Sequence, residues 1–485
     1  MQHKIHGYQP ASLFQFFEEI SAIPRGSGQE KAVSDYLVAF AKTRDLWVHQ
    51  DKAWNVIIRK PASAGAESLP PVMLQGHLDM VCEKRAGVAH DFEKDGLDLV
   101  VENGVLRANG TTLGGDNGAA VAAMMAILDD RTLVHPALEC VFTTEEEVGL
   151  NGAQALDKSL LSARTMINLD SEDEGVATVS CAGGMRYSLF RPMQRETQQG
   201  DLLHLSISGL LGGHSGMDID LERINAVKLT ARVLHHLRSL GACRLVSFAG
   251  GTKDNAIPRE CSAALLFADA EQAARAEQEA QAFVAALQDE IHPTEPDFSC
   301  EITRESQVTA DVLTEADGNA LITAACLAPN GVRRRNPKQG NFVVTSLNLG
   351  IVSTEGTEMC LVFAPRSSVT SLQEDTMEQL QLLADTFGFR TEVTGRYPGW
   401  AFAENSPIRQ VFCDSYQALF GQELRIEAIH AGLECGLFSD ALPGLDAIAV
   451  GPTIRGCHTP DENLPLDSFE RFYQLLTDVL ARLTK

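Results

Sequence analysis

The chain of 485 residues carries 40 Lys and Arg against 65 Asp and Glu, which gives a formal net charge of −25 at pH 7. This balance excludes a nucleic-acid binder that works by neutralising phosphates. A content of 44% hydrophobic and 22% charged residues is typical of a folded protein rather than a disordered one. The 11 cysteines include no Cys-x-x-Cys pair, so we expect neither a disulfide framework nor a thiolate zinc site.

Membrane and export signals are also missing from the sequence pattern. The first ten residues have no apolar core, and the longest unbroken apolar run, Ala119–Leu128, is too short to cross a bilayer. We therefore expect a cytoplasmic protein with neither a membrane nor a nucleic acid as partner.

The first third of the chain alternates helical and strand-like segments. Apolar residues at helical spacing predict helices over Ser12–Ile20 and Glu30–Phe40, with Pro and Gly residues between them, and Ala119–Leu128 predicts a third. Short apolar runs predict strands at Val56–Ile58, Val72–Leu74, Leu138–Phe142 and Met166–Ile167. Such alternation is typical of an α/β fold, here a mostly parallel sheet covered by helices.

The middle of the chain has a different texture. Strands and long helices share this region with connections rich in Gly and Ser, and the clearest elements are Leu203–Ile207, Asn225–Leu240, Ala270–Leu287 and Met359–Phe363. The mixture predicts an inserted α+β lid domain at residues 184–398. A strand, a long helix and further strands occur twice, which suggests two related halves without a repeat of residues.

The α/β pattern returns near the end of the chain. Asp446–Val450 reads as a strand and Leu466–Leu483 as a closing amphipathic helix. We therefore predict one catalytic domain formed by residues 1–183 and 399–485.

Acidic and histidine residues stand just after the apolar strands of this domain. In an open α/β sheet, the loops beyond the carboxyl ends of the strands converge on one crevice. Two histidines with several carboxylates suit zinc, manganese or cobalt better than calcium or magnesium, and there are enough for two metals bridged by one carboxylate, with another carboxylate left as a base. The candidates are His77, Asp79, Asp116, Glu145, Glu146, Glu147, Asp170 and His458.

Each motif also has an ordinary structural interpretation. His77 reads as a buried core histidine, Asp116 as a helix N-cap, and Glu145–Glu147 as a solvated acidic turn. Three adjacent acids repel one another, however, and no basic residue lies nearby in sequence to offset them, whereas a bound cation would. The joint pattern is more specific than any single motif.

Three motifs in order carry a resemblance to a known family. They are Gly76-His77-Leu78-Asp79, Gly114-Gly115-Asp116-Asn117-Gly118 and Glu146-Glu147-Val148-Gly149. With them, the chain resembles the di-zinc peptidase family of carboxypeptidase G, aminoacylase and carnosinase, and most of all its bacterial aminoacyl-histidine dipeptidase branch. The similarity runs from Ile20–Pro24 to the segment around His458 and the final helix. It implies a zinc-peptidase catalytic domain with an inserted lid and two divalent metal ions per chain, zinc or else manganese or cobalt.

The resemblance also implies roles for individual residues. Its metal ligands correspond to His77 and Asp170 for one ion, His458 and Glu147 for the other, and Asp116 as the bridge between them.

By the same resemblance, Asp79 orients His77 and Glu146 is the general base. Because Glu145 precedes this pair, a slip of one residue stays open, although the Val148-Gly149 anchor argues against it.

The lid is expected to contribute to the reaction. In the family a lid histidine reaches the reacting carbonyl, and Gly212–Gly216 matches the segment that carries it, which points to His214. The resemblance further indicates Asn255 as substrate-binding, and Arg366 could pair with a substrate carboxylate through its planar fork. The loop His430–Gly436, with Gly432 and Glu434, looks like the cradle of the substrate C-terminus.

The function implied is a metallo-dipeptidase that hydrolyses unblocked dipeptides, including Xaa-His. Glu146 would take a proton from a water that bridges the metals, and the resulting hydroxide would attack the peptide carbonyl. The alternatives are an aminoacylase-type amidohydrolase acting on N-acyl amino acids, which the same ligands would serve, and a non-catalytic peptide-binding relative, which would not need Glu146. The family also suggests a homodimer formed through the lid.

Overall fold

The computed structural model describes residues 3–338 and 340–485. This part of the chain divides into two compact units. The first unit contains residues 3–181, Trp400–Ala428 and Leu433–Lys485, and the second contains Ala182–Gly399 and Ile429–Gly432.

The short segment Ile429–Gly432 belongs to the second unit, although the sequence analysis placed it in the catalytic domain. Two hydrogen bonds explain this. Ala182 N–H donates to the carbonyl of Ala431, and His430 Nε2 lies 2.7 Å from Ser346 Oγ.

The strands, in chain order, are β1 (Trp47–Gln50), β2 (Val56–Lys60), β3 (Val72–His77), β4 (Leu99–Glu102), β5 (Val105–Ala108), β6 (Leu138–Thr143), β7 (Thr165–Asn168), β8 (Val176–Cys181), β9 (Gly183–Pro192), β10 (Arg195–Ser208), β11 (Gly213–His214), β12 (Arg244–Gly250), β13 (Ala256–Ile257), β14 (Cys261–Phe267), β15 (Ser299–Leu313), β16 (Gly331–Arg335), β17 (Val343–Ser353), β18 (Glu358–Ser367), β19 (Arg390–Tyr397), β20 (Arg425–Ile429), β21 (Asp446–Ala449) and β22 (Asn463–Pro465).

The α-helices are α1 (Ala11–Ser21), α2 (Lys31–Lys42), α3 (Gly115–Asp129), α4 (Asn151–Ala155), α5 (Ala226–Arg238), α6 (Ala270–Ile291), α7 (Glu315–Leu327), α8 (Thr370–Phe387), α9 (Pro407–Phe420), α10 (Glu434–Ala441) and α11 (Leu466–Arg482). A helix or strand is found at each position predicted from the sequence, with ends that differ by a few residues except in β10, which starts at Arg195 rather than Leu203. Helix α5, for example, starts after Asn225 because the side chain of that residue accepts the N–H of Lys228 and caps the helix.

The main sheet of the first unit is parallel at its centre and antiparallel at its edges. Over the described residues its order is β1-β2-β6-β3-β7-β21-β8-β20. β3 runs parallel to β6 and β7, and β21 runs parallel to β7. β1 and β2 are antiparallel, because the five residues between them are too few for the crossover that parallel strands need. The α/β fold class is confirmed, and the sheet is mixed rather than mostly parallel.

Helix α3 is buried on all sides, which explains its continuous apolar sequence. Every residue from Ala119 to Leu128 is buried, as expected of a helix covered all round by other elements. The amphipathic helix α11 packs through Phe469, whose ring meets Phe14 and Phe17 edge-on. A search of the described helices finds none with the length and apolar character needed to span a membrane.

The second unit repeats one topology twice. One half runs β10-α5-β12-β14-α6-β15, and the other runs β9-α7-β17-β18-α8-β19. In the nine-stranded sheet found among the described residues, one half has the strand order β15-β10-β14-β12. The other half, taken from the opposite edge, has the order β19-β9-β18-β17. Counted along the chain, each half therefore places its fourth, first, third and second strands side by side. The half formed by β10 to β15 is inserted in the chain directly after β9, which is the first strand of the other half. This arrangement agrees with the predicted pair of related halves.

The two halves meet edge to edge at β12 and β17, where Gly250 is paired with Val352. The next residue, Gly251, has a φ of +76°, and a Cβ there would lie 1.8 Å from the carbonyl oxygen of Gly350. The junction therefore requires glycine for its backbone conformation and for its close approach to β17.

The substitution Gly251→Ala should destabilise the protein more than Gly356→Ala, measured as the shift of the urea unfolding transition. Gly356 has the same φ of +76° with open space around it, so this control carries the conformational cost alone, roughly 1–2 kcal/mol. Gly251→Ala adds the clash with backbone, for a total on the order of 3 kcal/mol or more. Equal losses in the two variants would contradict a tight junction.

Candidate active site

The carboxyl ends of three neighbouring parallel strands lie at one edge of the sheet in the first unit. β3 ends at His77, which is level with Thr143 at the end of β6, and β7 ends at Asn168. The predicted acidic residues Asp79, Glu145–Glu147 and Asp170 follow directly after these strands. Parallel pairing therefore explains why residues far apart in sequence meet here.

The carboxylate of Asp116 lies between two imidazoles. Its Oδ1 is 3.0 Å from His77 Nε2, and its Oδ2 is 3.3 Å from His458 Nε2. His77 Nε2 is also 3.6 Å from Oδ1 of Asp170, and His458 Nε2 is 2.9 Å from Oε1 of Glu147. The structure thus brings together all five predicted metal ligands, with Asp116 in the central position.

The first turn of α3 holds Asp116 close to β3. Gly76 makes the approach possible, since a Cβ at this position would lie 2.4 Å from Oδ1 of Asn117. The side chain of Asn117 accepts the N–H of His77 at 3.2 Å and donates to Asp170 Oδ1 at 3.2 Å. Asn117 therefore ties the ends of β3 and β7 together, while the Asp116 carboxylate faces the imidazoles rather than capping α3.

Asp79 is completely buried and connects His77 to the acidic turn. Its Oδ1 lies 3.3 Å from His77 Nδ1, and its oxygens accept the backbone N–H groups of Glu146 at 3.0 Å and Glu147 at 3.2 Å, and the hydroxyl of Ser27 at 2.8 Å. Burial alone would raise the pKa of Asp79, but these hydrogen bonds lower it. A carboxylate at Nδ1 leaves Nε2 of His77 facing the cluster, as in metal-binding histidines.

The three acids after β6 have different surroundings. Glu147 faces His458, and Glu146 shares a group of potential ligand atoms with His77 and Glu147. The carboxylate of Glu145 instead accepts the side-chain amide of Asn151, at 2.9 Å, on the exposed side of the turn. Glu146 therefore belongs to the cluster of potential metal ligands, whereas the carboxylate of Glu145 lies outside it.

Crowding and burial shift the pKa values of the cluster. Burial raises the pKa of Glu146 well above its usual value, and the negative charge of Asp170 raises it further. Hydrogen bonds to Asp116 and Glu147 raise the pKa of His458 to about 10. Burial would lower the pKa of His77, but the charge of Asp170 and the hydrogen bond to Asp116 bring it well above the usual value. The cluster therefore favours positive charge at both histidines.

The same atoms form sets with the spacing of metal ligands. One set is His77, Asp116 and Asp170, and another is Asp116, Glu147 and His458; within each set the ligand atoms lie within 4.8 Å of one another. Imidazole nitrogens mixed with carboxylate oxygens suit zinc, manganese or cobalt. The donor set therefore fits two such ions sharing Asp116.

The sequence analysis missed one further set, in which Asp116 is joined by Glu172 and Cys457. Cys457 precedes a predicted ligand, but a lone cysteine carries no ligand signal in the sequence.

The predicted lid residues gather within the second unit. β11 pairs with β13, so His214 is opposite Ala256, and Ser215 N–H donates to the carbonyl of Asn255 at 2.8 Å. Arg366 Nη1 donates to the hydroxyl of Tyr397 at 3.1 Å, and a Cβ at Gly432 would lie 2.8 Å from the ring of Tyr397. The sequence analysis did not identify Tyr397, which connects Arg366 with the loop of Gly432.

The hydrogen bonds of His214 fix which ring nitrogen carries its proton. Nδ1 accepts the backbone N–H groups of Gly216 at 3.2 Å and Met217 at 3.0 Å. Burial and the nearby charge of Arg366 lower the pKa of His214, so the neutral form is favoured. The proton of the neutral ring is then on Nε2, which is left to act as a donor.

Glu434, predicted to bind substrate, is fully buried in the first unit. Its carboxylate accepts hydrogen bonds from the side chains of Gln75 and Thr143, and burial raises its pKa to about 7. It lies among residues of β3 and β6, so its contacts link the start of α10 to the strand ends that carry the cluster.

A cavity of about 410 Å³ adjoins the cluster in the first unit. Its walls include Glu147, Val148, Met80 and Phe92, with Ser27 among the polar groups. The space is therefore mainly apolar and begins at a predicted metal ligand.

Comparisons with known proteins identify the family of the chain. The model of peptidase family M20/M25/M40 matches residues 73–482. Cytosol non-specific dipeptidase of Escherichia coli strain K12 is 36% identical over 477 residues, which cover 98% of this chain and 98% of that protein.

Solved structures of peptidases are also similar to this chain. The crystal structure of aminoacylhistidine dipeptidase from Vibrio alginolyticus matches with a TM-score of 0.92 and 35% identity, covering 98% of this chain and 97% of that one. Aminopeptidase PepT from Bacillus cereus shares the fold, with a TM-score of 0.57 and 15% identity over 99% of this chain and 100% of that one. The chain belongs to peptidase family M20/M25/M40.

Proposed function

We propose that this protein is a dipeptidase that uses two divalent metal ions to hydrolyse unblocked dipeptides, including Xaa-His. The observation that carries the proposal is the position of Asp116, with one carboxylate oxygen toward His77 Nε2 and the other toward His458 Nε2. The dipeptidases of Escherichia coli and Vibrio alginolyticus, similar over nearly the whole chain, support the choice of substrate class.

The proposed metal ligands are His77 and Asp170 for one ion, Glu147 and His458 for the other, and Asp116 for both. Zinc is the proposed metal, with manganese and cobalt as alternatives for the same donor atoms. Bound ions of this kind polarise a carbonyl oxygen and lower the pKa of a water molecule. Asp79 holds His77 and the Glu146–Glu147 turn in place through its four contacts.

Glu146 is the proposed general base. The backbone of Glu146 is fixed by its N–H bond to Asp79, and burial raises the pKa of the carboxyl, which makes it a stronger base. Glu146 takes the proton of the attacking water and then gives it to the amine that leaves. Four carboxylates are proposed for ligation and orientation, namely those of Asp79, Asp116, Glu147 and Asp170. Glu146 is the fifth, and it remains for this step.

The second unit supplies the proposed contacts to the substrate. His214, protonated on Nε2, donates a hydrogen bond to the oxyanion that forms during attack. Arg366 and the Gly432 loop bind the C-terminal carboxylate, and Asn255 holds the substrate beside His214. These roles require the second unit, of the same chain or of a partner copy, to reach the reacting carbonyl.

A homodimer formed through the second unit is part of the proposal, as is a cytoplasmic location. Three apolar side chains in the segment around His214 are exposed, namely Leu211, Met217 and Leu221, at 47%, 56% and 58%. Exposed apolar side chains grouped in one segment are typical of an interface.

The first test is hydrolysis of Ala-His by Glu146→Gln, with Glu145→Gln as the matched control. Loss of the base should lower kcat/KM by roughly 10²–10⁴-fold, and the control should keep its activity because Glu145 faces Asn151. Metal content, measured by elemental analysis, should be the same in both variants. Loss in the control with retention in Glu146→Gln would assign the base to Glu145.

A substrate panel distinguishes the classes of activity. Ala-His, β-Ala-His, Gly-Leu, a tripeptide and N-acetyl-His are assayed with metal-loaded and with chelated protein. We expect the metal-loaded protein to cleave the dipeptides and the chelated protein to cleave none of the substrates. Cleavage of N-acetyl-His alone would indicate an aminoacylase, and binding without turnover would indicate a peptide-binding protein.

Metal binding should release protons at neutral pH. His458, with a pKa of about 10 in the metal-free protein, is protonated at pH 7, and the pKa of His77 is raised as well. Only neutral imidazole binds a metal, so at least the proton of His458 should leave when metal binds, and metal affinity should rise with pH until the histidines deprotonate by themselves. Titration calorimetry in buffers of different ionisation enthalpy measures this release. Heat independent of the buffer would contradict it.

The oligomeric state is measured by light scattering after size-exclusion chromatography. We expect twice the mass of the chain for the wild type and the mass of one chain for Leu221→Glu. Leu382→Glu, which changes an exposed leucine of α8, should remain dimeric. A monomeric wild type would exclude the homodimer and leave the reaction to one chain.

A further inference from the structure

Glu462 forms an unusual contact with the segment that carries Asp116. Its side chain is 2% exposed, and its two oxygens accept four consecutive backbone N–H groups. Oε2 accepts those of Leu113 at 2.7 Å and Gly114 at 2.9 Å, and Oε1 accepts those of Gly115 at 2.8 Å and Asp116 at 3.2 Å. A carboxylate bound to several N–H groups makes stronger hydrogen bonds than a neutral acceptor, so this contact fixes the path of the backbone.

The opposite side of the same segment is held by a buried cation. Arg25 is 2% exposed, and its guanidinium donates to the carbonyl of Gly114 at 2.5 Å and to those of Leu78 at 2.9 Å and Asp79 at 3.2 Å. The backbone before Asp116 is therefore fixed on its N–H side by an anion and on its carbonyl side by a cation, which offset each other's charge.

Glu462 also belongs to the turn that carries His458. Two backbone hydrogen bonds between Arg455 and Asn463, at 3.0 and 2.9 Å, close this turn, and Glu462 N–H donates to Thr459 O at 3.1 Å. His458 itself is 49% exposed and has a φ of +62°. The turn therefore has little packing of its own around His458, and Glu462 connects it to the buried Asp116 segment.

We infer that Glu462 is a positioning residue that sets the distance between His458 and Asp116 and so controls the binding of the metal ion they share. The inference rests on the proposed ligands. It assigns a larger effect to the ion held by Asp116, Glu147 and His458, because Glu462 fixes two of these three ligands. The other ion depends on Glu462 only through Asp116, since His77 and Asp170 follow from the ends of β3 and β7.

The test compares zinc affinity in Glu462→Gln and in the wild type by competition with a chromophoric chelator. The amide oxygen of glutamine still accepts two N–H groups, but its NH₂ group faces the other two, so the segment must move. We expect one of the two zinc ions to lose tenfold or more in affinity and the other to change less. The visible absorption spectrum of the cobalt-loaded variant should change too, because it reports ligand geometry independently of activity.

Glu139→Gln is the matched control. Glu139 is 3% exposed and accepts the N–H groups of Ser162 and Ala163, both at 3.0 Å, at the opposite end of β6 from the cluster. It should lose thermal stability, yet keep the zinc affinities and cobalt spectrum of the wild type. Glu462→Asp keeps the charge with a shorter reach; it should recover part of the affinity, and it replaces Glu462→Gln if that variant does not fold.

Three outcomes would overturn the inference. Wild-type affinity for both ions in folded Glu462 variants would overturn it and leave the proposed function intact. Equal weakening in Glu139→Gln would show that lost stability is the cause. A wild-type protein that binds no divalent cation would overturn this inference and the proposed function together.

Discussion

The repulsion among buried carboxylates at one edge of the sheet is the constraint around which the first unit is built. Asp116, Glu147 and Asp170 share this space with Glu146 and with the imidazoles of His77 and His458. Gathering such charges away from water costs free energy unless positive charge compensates them. The raised pKa values of His77 and His458 reflect this need, because protonated imidazoles would supply positive charge beside the carboxylates. A site already arranged for positive charge is well suited to divalent cations.

The surrounding polar groups hold these charges where the repulsion alone would separate them. Asp79 connects His77 at the end of β3 with the backbone of the acidic turn. Asn117 joins the ends of β3 and β7, and Glu462 holds the segment before Asp116. All three side chains make their hydrogen bonds largely to backbone N–H and carbonyl groups. The geometry of the cluster therefore depends on fixed backbone more than on flexible side chains, which favours a preorganised site.

Much of the first unit could be predicted from sequence because its signals are local. The apolar runs of β3, β6 and β7 are short and clear, and an acidic or histidine residue stands at or just after the end of each strand. Motif order identified the family, which the family model and the similar proteins confirm. The antiparallel edges of the sheet escaped prediction, since strand direction depends on connections and not on the strand's own residues.

Residues whose side chains act through contacts that form only in the fold could not be recognised in the sequence. Glu462 reads as one more acid in an acidic chain, and only the folded structure reveals the four N–H groups it meets. Tyr397 is the last residue of a polar strand, and its relation to Arg366 depends on the pairing of β9 with both β18 and β19.

The repeated topology of the second unit has a consequence for how its side chains can specialise. Two identical subunits joined edge to edge must carry the same residues at equivalent positions. Here both copies belong to one polypeptide, so the equivalence holds for the backbone but not for the chemistry. His214 lies on β11 and Asn255 directly before β13, both in the inserted half, whereas Arg366 lies on β18 of the enclosing half. Covalent fusion thus provides a symmetric platform with an asymmetric set of functional groups.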